Sequence, residues 1–203
     1  MIELYPCFSH LGRFNNIFVI GDTHFADEET AKLRANNVGD EELVRRINSK
    51  VGKKDVLIIL GDVGDVEYVK KLRGYKILIM GNHDKGASNY KRNDYFIDAF
   101  GNTTDNHLFD EVYTGAVMLN DKILLSHEPV SVSFAFNIHG HVHSMSAKDD
   151  KLHMNVCAEH VDYTPVSLIA LQKQGKFSGV PNIHRITIDK ATDRKNKRRG
   201  GAE

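Results

Sequence analysis

At 203 residues, 41% of them hydrophobic and 27% charged, the chain is long enough to bury one full core and has the composition of an ordinary soluble domain. Its 27 basic residues are balanced by 27 acidic ones, so no overall field draws it to nucleic acid or to an anionic membrane, and its longest apolar runs have strand length, too short to cross a bilayer. Two cysteines, Cys7 and Cys157, with no Cys-x-x-Cys pair exclude a disulfide framework and a cysteine-type structural zinc site; with Glu3, His10 and Arg13 interrupting any secretory signal, the cytoplasm is the expected location.

One domain spanning residues 1–203 is expected, with about residues 1–15 as an N-terminal extension. Ile17-Phe18-Val19-Ile20, Val56 to Leu60 and Lys76 to Met80 read as short buried strands. Between the first two, Asp40 is the expected N-cap of a helix with Glu41 and Glu42 in its first turn and an inward stripe of Leu43, Val44, Ile47 and Val51. A shorter helix is expected from Asp65 to Arg73, stopping at Gly74. This βαβαβ order implies parallel neighbours with right-handed crossovers. Residues 85–107 read as a polar surface excursion with one helix around Tyr95 to Phe100. Beyond it, Val117–Leu119 and Ile123–Leu125 form a hairpin around Asn120-Asp121. Further strands are expected at Phe134 to His139, Leu152 to Val156, Val166 to Leu171 and Ile183 to Ile188, in a mostly antiparallel arrangement. About residues 190–203 form a basic tail. The expected fold class is α/β: a four-layer α/β/β/α sandwich of two facing mixed sheets with helices on the outside.

The chemistry gathers where strands end. Gly21-Asp22-Thr23-His24, Gly61-Asp62-Val63-Gly64-Asp65, Gly81-Asn82-His83-Asp84, Ser126-His127 and Gly140-His141-Val142-His143 each set ligand-type residues after or beside an apolar run. Asp22 and His24 are two apart, as are His141 and His143, and on an extended stretch each pair faces one side. Taken alone, a Gly-Asp after a strand is a turn and a His-x-His is a pair of surface histidines. Five such pieces in one chain are a different matter. Carboxylate, imidazole and amide donors suit Mn²⁺, Fe, Zn²⁺ or Ni²⁺, and none of them is a soft thiolate. Two such ions about 3.5–4 Å apart can clamp a phosphate ester and activate a water for in-line attack.

The ordered series Asp-x-His, Gly-Asp-x-x-Asp, Gly-Asn-His-Asp, a lone His after a strand and Gly-His-x-His resembles the calcineurin-like metallophosphoesterase superfamily, in a short, cap-less form of the prokaryotic or phage type, from Gly21 to His143. The resemblance implies two divalent cations, Mn²⁺ first, with Fe, Zn²⁺ and Ni²⁺ open. It implies that Asp22, His24 and His143 hold one, that Asn82, His127 and His141 hold the other, and that Asp62 bridges them. A hydroxide between the metals would be the nucleophile, His83 the general acid for the leaving alcohol, and Asp84 the group that orients His83. Asp65 is read as a helix cap or as a partner of a metal-bound histidine.

The implied activity is metal-dependent hydrolysis of a phosphate ester. A phosphodiester is favoured, because the short interval from His127 to His141 leaves no room for a cap and the cleft is open. A phosphomonoesterase, a nuclease or a non-catalytic protein-binding scaffold are the alternatives. The expected partner is a phosphate-ester small molecule or nucleotide; nucleic acid has only the basic run Asp193 to Arg199 in its favour, no membrane is expected, and the oligomeric state is open. Lys85, Lys91, Arg92, Phe25 and His139 are further residues that could face the cleft, each with an ordinary packing or surface reading beside it. Cys157 reads as a small buried apolar residue.

Overall fold

The computed structural model describes residues 2–84, 95–97, 103–105, 108–144, 150–181 and 187–194. Its elements are β1 (Ile17–Ile20), α1 (Glu28–Leu33), α2 (Asp40–Lys50), β2 (Val56–Ile59), β3 (Tyr75–Ile79), β4 (Tyr95–Ile97), β5 (Thr103–Asp105), β6 (Glu111–Tyr113), β7 (Val117–Met118), β8 (Ile123–Ser126), β9 (Phe136–His139), β10 (His153–Asn155), β11 (Val166–Ser167) and α3 (Leu168–Lys173). One sheet runs β11-β1-β2-β3-β6, the second β10-β9-β8-β7, and β4 pairs β5 by itself.

Strand parity explains the layering. Ile17 and Val19 of β1, Val56 and Ile58 of β2 and Ile77 and Ile79 of β3 meet Ile123, Leu125, Phe136 and Ile138 of the second sheet in one buried cluster. The alternate residues Phe18, Ile20, Leu57, Ile59 and Leu78 point the other way, onto Leu43, Val44 and Ile47 of α2. The two mixed sheets therefore face each other in an α/β sandwich, with α2 covering the outer face of the first. No helix among the described residues is long and apolar enough to cross a membrane.

In the first sheet β1, β2, β3 and β6 are parallel and only β11 is antiparallel. The second sheet corrects the expected antiparallel order: β8, β9 and β10 are parallel to one another and only β7 is antiparallel. Short apolar strands between turn signals read the same in either direction. The difference matters, because parallel strands release the chain at one edge, and the residues after β8, β9 and β10 thus emerge together.

Other boundaries shift for local reasons. Pro6–Arg13 is a 3₁₀ segment that buries Phe8 and Leu11 in the intersheet core, so the N-terminal residues are part of the packing. Gly39 is the N-cap of α2, and Asp40 is its first residue. Residues Val66–Lys71 are a 3₁₀ turn rather than a longer helix, capped by the Asp65 carboxylate, which accepts from the Glu67 N–H. The expected strand Val166 to Leu171 ends at Ser167, whose hydroxyl caps α3 by accepting from the Ala170 N–H. Tyr95–Ile97, expected within a helix, is strand; residues 98–100 lie outside the described residues. Of the expected strand Ile183 to Ile188, Thr187 and Ile188 are helical, within 187–194, and 183–186 lie outside the described residues, as do 195–203 of the basic tail.

Candidate metal centre

All the ligand-type segments leave from one rim of the sandwich. Asp22 and His24 follow β1, Asp62 follows β2, Asn82 follows β3, His127 follows β8, and His141 and His143 follow β9. The sheets are stitched at that rim: the Asp22 Oδ2 accepts from the His141 N–H at 2.8 Å, and Gly21 bridges Cys157. The pairs Asp22/His24 and His141/His143 do not lie on extended stretches as the spacing suggested. Asp22, His24, Asp62, His141 and His143 have φ of 53°, 44°, 51°, 69° and 46°, in the left-handed region. These three segments curl at their ligand residues. The curl needs close backbone approach: a Cβ on Gly140 would stand 2.2 Å from Asp22 Oδ2.

The seven side chains converge. Asp62 Oδ2 lies 3.7 Å from His24 Nε2 and 3.5 Å from His127 Nε2, between the two halves of the cluster. Asp22, His24 and Asp62 bring one ligand atom each within 4.8 Å of one another, and so do Asp62, His127 and His141. His127 Nε2 is 2.8 Å from Asn82 Oδ1 and 3.1 Å from His141 Nδ1, and His143 Nε2 is 3.8 Å from Asp22 Oδ1. Asp22 Oδ1 and His24 Nε2 are buried and have no hydrogen-bond partner among the described residues. Leaving two such atoms unpaired is costly unless a cation takes them. The donor set, nitrogen and oxygen around a shared carboxylate, fits a pair of divalent ions.

A model of the family described as calcineurin-like phosphoesterase matches residues 16–165. The chain belongs to this family. An uncharacterised protein of Methanocaldococcus jannaschii is 26% identical over 187 residues, covering 79% of this chain and 93% of that one. The crystal structure of a protein of unknown function from Aquifex aeolicus is similar with a TM-score of 0.61 and 26% identity, covering 78% of this chain and 98% of that one.

In this calcineurin-like phosphoesterase, the ring nitrogens turned away from the centre are held from outside. His24 Nδ1 is 2.9 Å from Asp27 Oδ2, His143 Nδ1 is 2.7 Å from Glu159 Oε1, and His127 Nδ1 donates to the Leu60 carbonyl at 2.8 Å. Each contact presents Nε2 to the centre. Glu159 is in turn 3.1 Å from Arg34 Nε, and Arg34 also donates to the carbonyl of Asp22. Burial pushes the Asp22 carboxyl up and the His24 imidazole down, while the Glu159 hydrogen bond raises His143. Asp27 is held down at about 2, first by the Thr30 backbone amide. A neutral His24 is the form that ligates a cation.

His83 is exposed, its ring 5.7 Å from that of His24, and its backbone N–H donates to Asp62 Oδ1 at 2.9 Å. Asp84 has a different place from the expected one. It is buried, and its carboxylate accepts from the backbone N–H of Asp62, Val63 and Gly81, so it binds the β2 and β3 loops together instead of facing the His83 ring. Asp65 caps its own turn. His139 is buried with Nδ1 at its neighbour Gly140's carbonyl, and its ring meets that of His153. Phe25 is buried and stacks on Tyr68 at 5.1 Å, so it packs rather than lining a cleft. Lys85, Lys91 and Arg92 lie outside the described residues.

Sequence reasoning passed over Asp27, Arg34, Asn155 and Glu159, and read Cys157 as apolar filler. Asn155 ends β10, and Cys157 and Glu159 follow at alternate positions: Asn155 donates to the His143 carbonyl, Cys157 Sγ lies 3.2 Å from Asp22 Oδ2, and Glu159 holds the His143 ring. That alternation was the available signal; Arg34 had none. Beside Asn82 and His127 opens a cleft of about 280 Å³, walled by Met80, Thr114, Ala116, Glu128 and Val130.

Proposed function

We propose that this calcineurin-like phosphoesterase hydrolyses a phosphodiester at a dinuclear centre held by Asp22, His24, Asp62, Asn82, His127, His141 and His143. The observation that carries the reading is the pair of buried, unpartnered atoms Asp22 Oδ1 and His24 Nε2 inside a ring of further nitrogen and oxygen donors. Two divalent cations, when bound, supply Lewis acidity toward the phosphoryl oxygens and an activated water at neutral pH. Mn²⁺ is the first ion to try, given the mixture of carboxylate, amide and imidazole donors.

The remaining work belongs to the chain. Asp62, with one oxygen 3.7 Å from His24 Nε2 and 3.5 Å from His127 Nε2, would be the carboxylate that holds both ions. His83 rides on the turn that carries Asn82, is exposed, and stands beside His24; its imidazole donates a proton to the departing alcohol oxygen. Asp84 acts on that step only by fixing the turn. The cleft beside Asn82 and His127 leaves room for a second ester substituent, which favours a diester of a small molecule or nucleotide.

The test is to strip the protein with a chelator, reload it with Mn²⁺, and compare an aryl phosphodiester with an aryl phosphomonoester. Metal-dependent turnover with the diester ahead is expected. A faster monoester would overturn the diester preference alone; no metal-dependent turnover of either would overturn the enzyme reading.

A further inference from the structure

Composition suggested a centre without sulfur, yet the fold brings a thiol into it. Cys157 is fully buried. Its Sγ lies 3.2 Å from Asp22 Oδ2 and accepts the His143 backbone N–H at 3.2 Å. Asp22, His143 and Cys157 each offer a ligand atom, and the three atoms lie within 4.8 Å of one another. The same Asp22 carries the buried Oδ1 that has no partner among the described residues, 3.8 Å from His143 Nε2. Two observations thus share one carboxylate: a sulfur in a ligand triad, held at Oδ2, and an unsatisfied oxygen, Oδ1, 3.8 Å from the third member.

We propose that Asp22, His143 and Cys157 form a sulfur-containing ligand set that gives the first cation position a preference for borderline-soft ions, Zn²⁺ or Cd²⁺, over Mn²⁺. The inference rests on the dinuclear reading above and concerns what that position selects. Around a tetrahedral zinc with bonds of about 2.3 Å to sulfur and about 2.0 Å to oxygen or nitrogen, neighbouring ligand atoms stand roughly 3.3–3.6 Å apart. In the triad Sγ stands 3.2 Å from Asp22 Oδ2 and His143 Nε2 stands 3.8 Å from Asp22 Oδ1, the other oxygen of the same carboxylate, and one ligand atom from each residue lies within 4.8 Å of the others, so the triad must close to share one ion. A soft ion recruits the sulfur: the S–H bond breaks, its electron pair forms the sulfur–metal bond, and the proton passes to water. The His143 N–H already points at the sulfur, while burial and the Asp22 carboxylate push the free thiol well up and keep its proton in place. A hard ion leaves the S–H intact, donating to Asp22 Oδ2 and aiming Oδ1 inward. Cys157 is then a positioning residue only.

The experiment uses the full chain carrying Cys7→Ser, because Cys7 is exposed and would add its own sulfur signal. Chelated protein is titrated with Cd²⁺ and, separately, Mn²⁺; retained metal is measured by elemental analysis and sulfur ligation by ultraviolet charge-transfer absorption. Expected are a sulfur-to-cadmium band at the first equivalent, none with Mn²⁺, and loss of the band in Cys7→Ser/Cys157→Ser. Competition of Zn²⁺ against Mn²⁺ should show the zinc preference falling about tenfold in the double variant. Cadmium retained without a sulfur band in the Cys7→Ser chain overturns the proposal while leaving the dinuclear centre standing, and this readout does not depend on the double variant folding. Failure to retain either ion overturns both.

Discussion

Asp84→Ala separates a structural from a catalytic aspartate. The Asp84 side chain is buried at 2% exposure, and its two oxygens accept three backbone amides: Asp62 at 2.9 Å, Gly81 at 2.7 Å and Val63 at 3.0 Å. Each buried amide left unpaired costs about 1–3 kcal/mol. Removing the carboxylate also removes the cost of burying its charge, which offsets part of that loss. The net expectation is a destabilisation of about 3–5 kcal/mol, the lower part of the range for three amides left unpaired. For a domain of this length that is a fall in melting temperature of roughly 6–20 °C. The assay is thermal or urea unfolding of chelated wild-type and variant protein, so that metal binding does not enter. Asp84→Asn keeps one acceptor oxygen but turns an amide N–H₂ toward a backbone donor, and it should fall between the two. An Asp84→Ala protein that unfolds within about 0.5 kcal/mol of wild type would refute the clamp and return Asp84 to the catalytic step.

Three further outcomes follow from the same geometry. His83→Ala should lower turnover on the diester by about 10²-fold or more with metal content and melting temperature unchanged, because the ring is exposed and belongs to no ligand set among the described residues; loss of bound metal would show that His83 ligates. Gly140→Ala puts a Cβ 2.2 Å from Asp22 Oδ2 and 3.0 Å from the Leu60 carbonyl, and should weaken metal retention and cost about 1–3 kcal/mol in unfolding. In Glu159→Gln, metal affinity measured by calorimetry should fall about 10–100-fold near pH 8. Because Glu159 raises the His143 pKa, the protonated ring stabilises the metal-free fold fully below about pH 6.5, and that contribution is lost as pH rises through the raised value. Cations need the neutral ring, so wild-type affinity declines as pH falls through the same value, and in Glu159→Gln that decline should move to lower pH.

Much of this site is written in the chain, though not in a form that gives its geometry. The aliphatic runs of β1, β2 and β3 are buried on both faces, and such strands announce a parallel sheet and the rim where Asp22, Asp62 and Asn82 emerge. The second sheet was harder. Strands of two to four residues carry too little pattern to fix direction, and only the tertiary pairing of Ile123 with Phe136 and of His153 with Asn137 shows β8, β9 and β10 running together. Asp84 illustrates a different limit: a carboxylate next to a histidine looks like a dyad in sequence, while two of its three partners sit about twenty residues upstream on another strand's loop. Arg34 lies at the end of α1, a helix with no buried residue, and only the fold reveals that its guanidinium reaches Glu159.

The curled ligand backbone explains why the spacing worked although the reason first given for it did not hold. A residue held at φ near +50° departs from the ordinary regions at a cost of about 1–3 kcal/mol, and five ligand-type residues share that state. Such strain persists only where the surroundings over-determine it. Here they do so from three directions: the Asp84 carboxylate on the amides of Asp62 and Gly81, the Asp22 carboxylate on the His141 amide, and the Asn155 amide on the His143 carbonyl. Asp22 appears on both sides of this account, as an acceptor that fixes the loop after β9 and as the bearer of the buried oxygen that waits for a partner. Its two oxygens divide the labour. Oδ2 is bound to the protein and Oδ1 faces the cluster, so the carboxylate cannot turn to satisfy Oδ1 internally without releasing His141. Among the described residues Oδ1 thus gains a partner only if His141 is released, and a bound cation is a group that would take it without that loss.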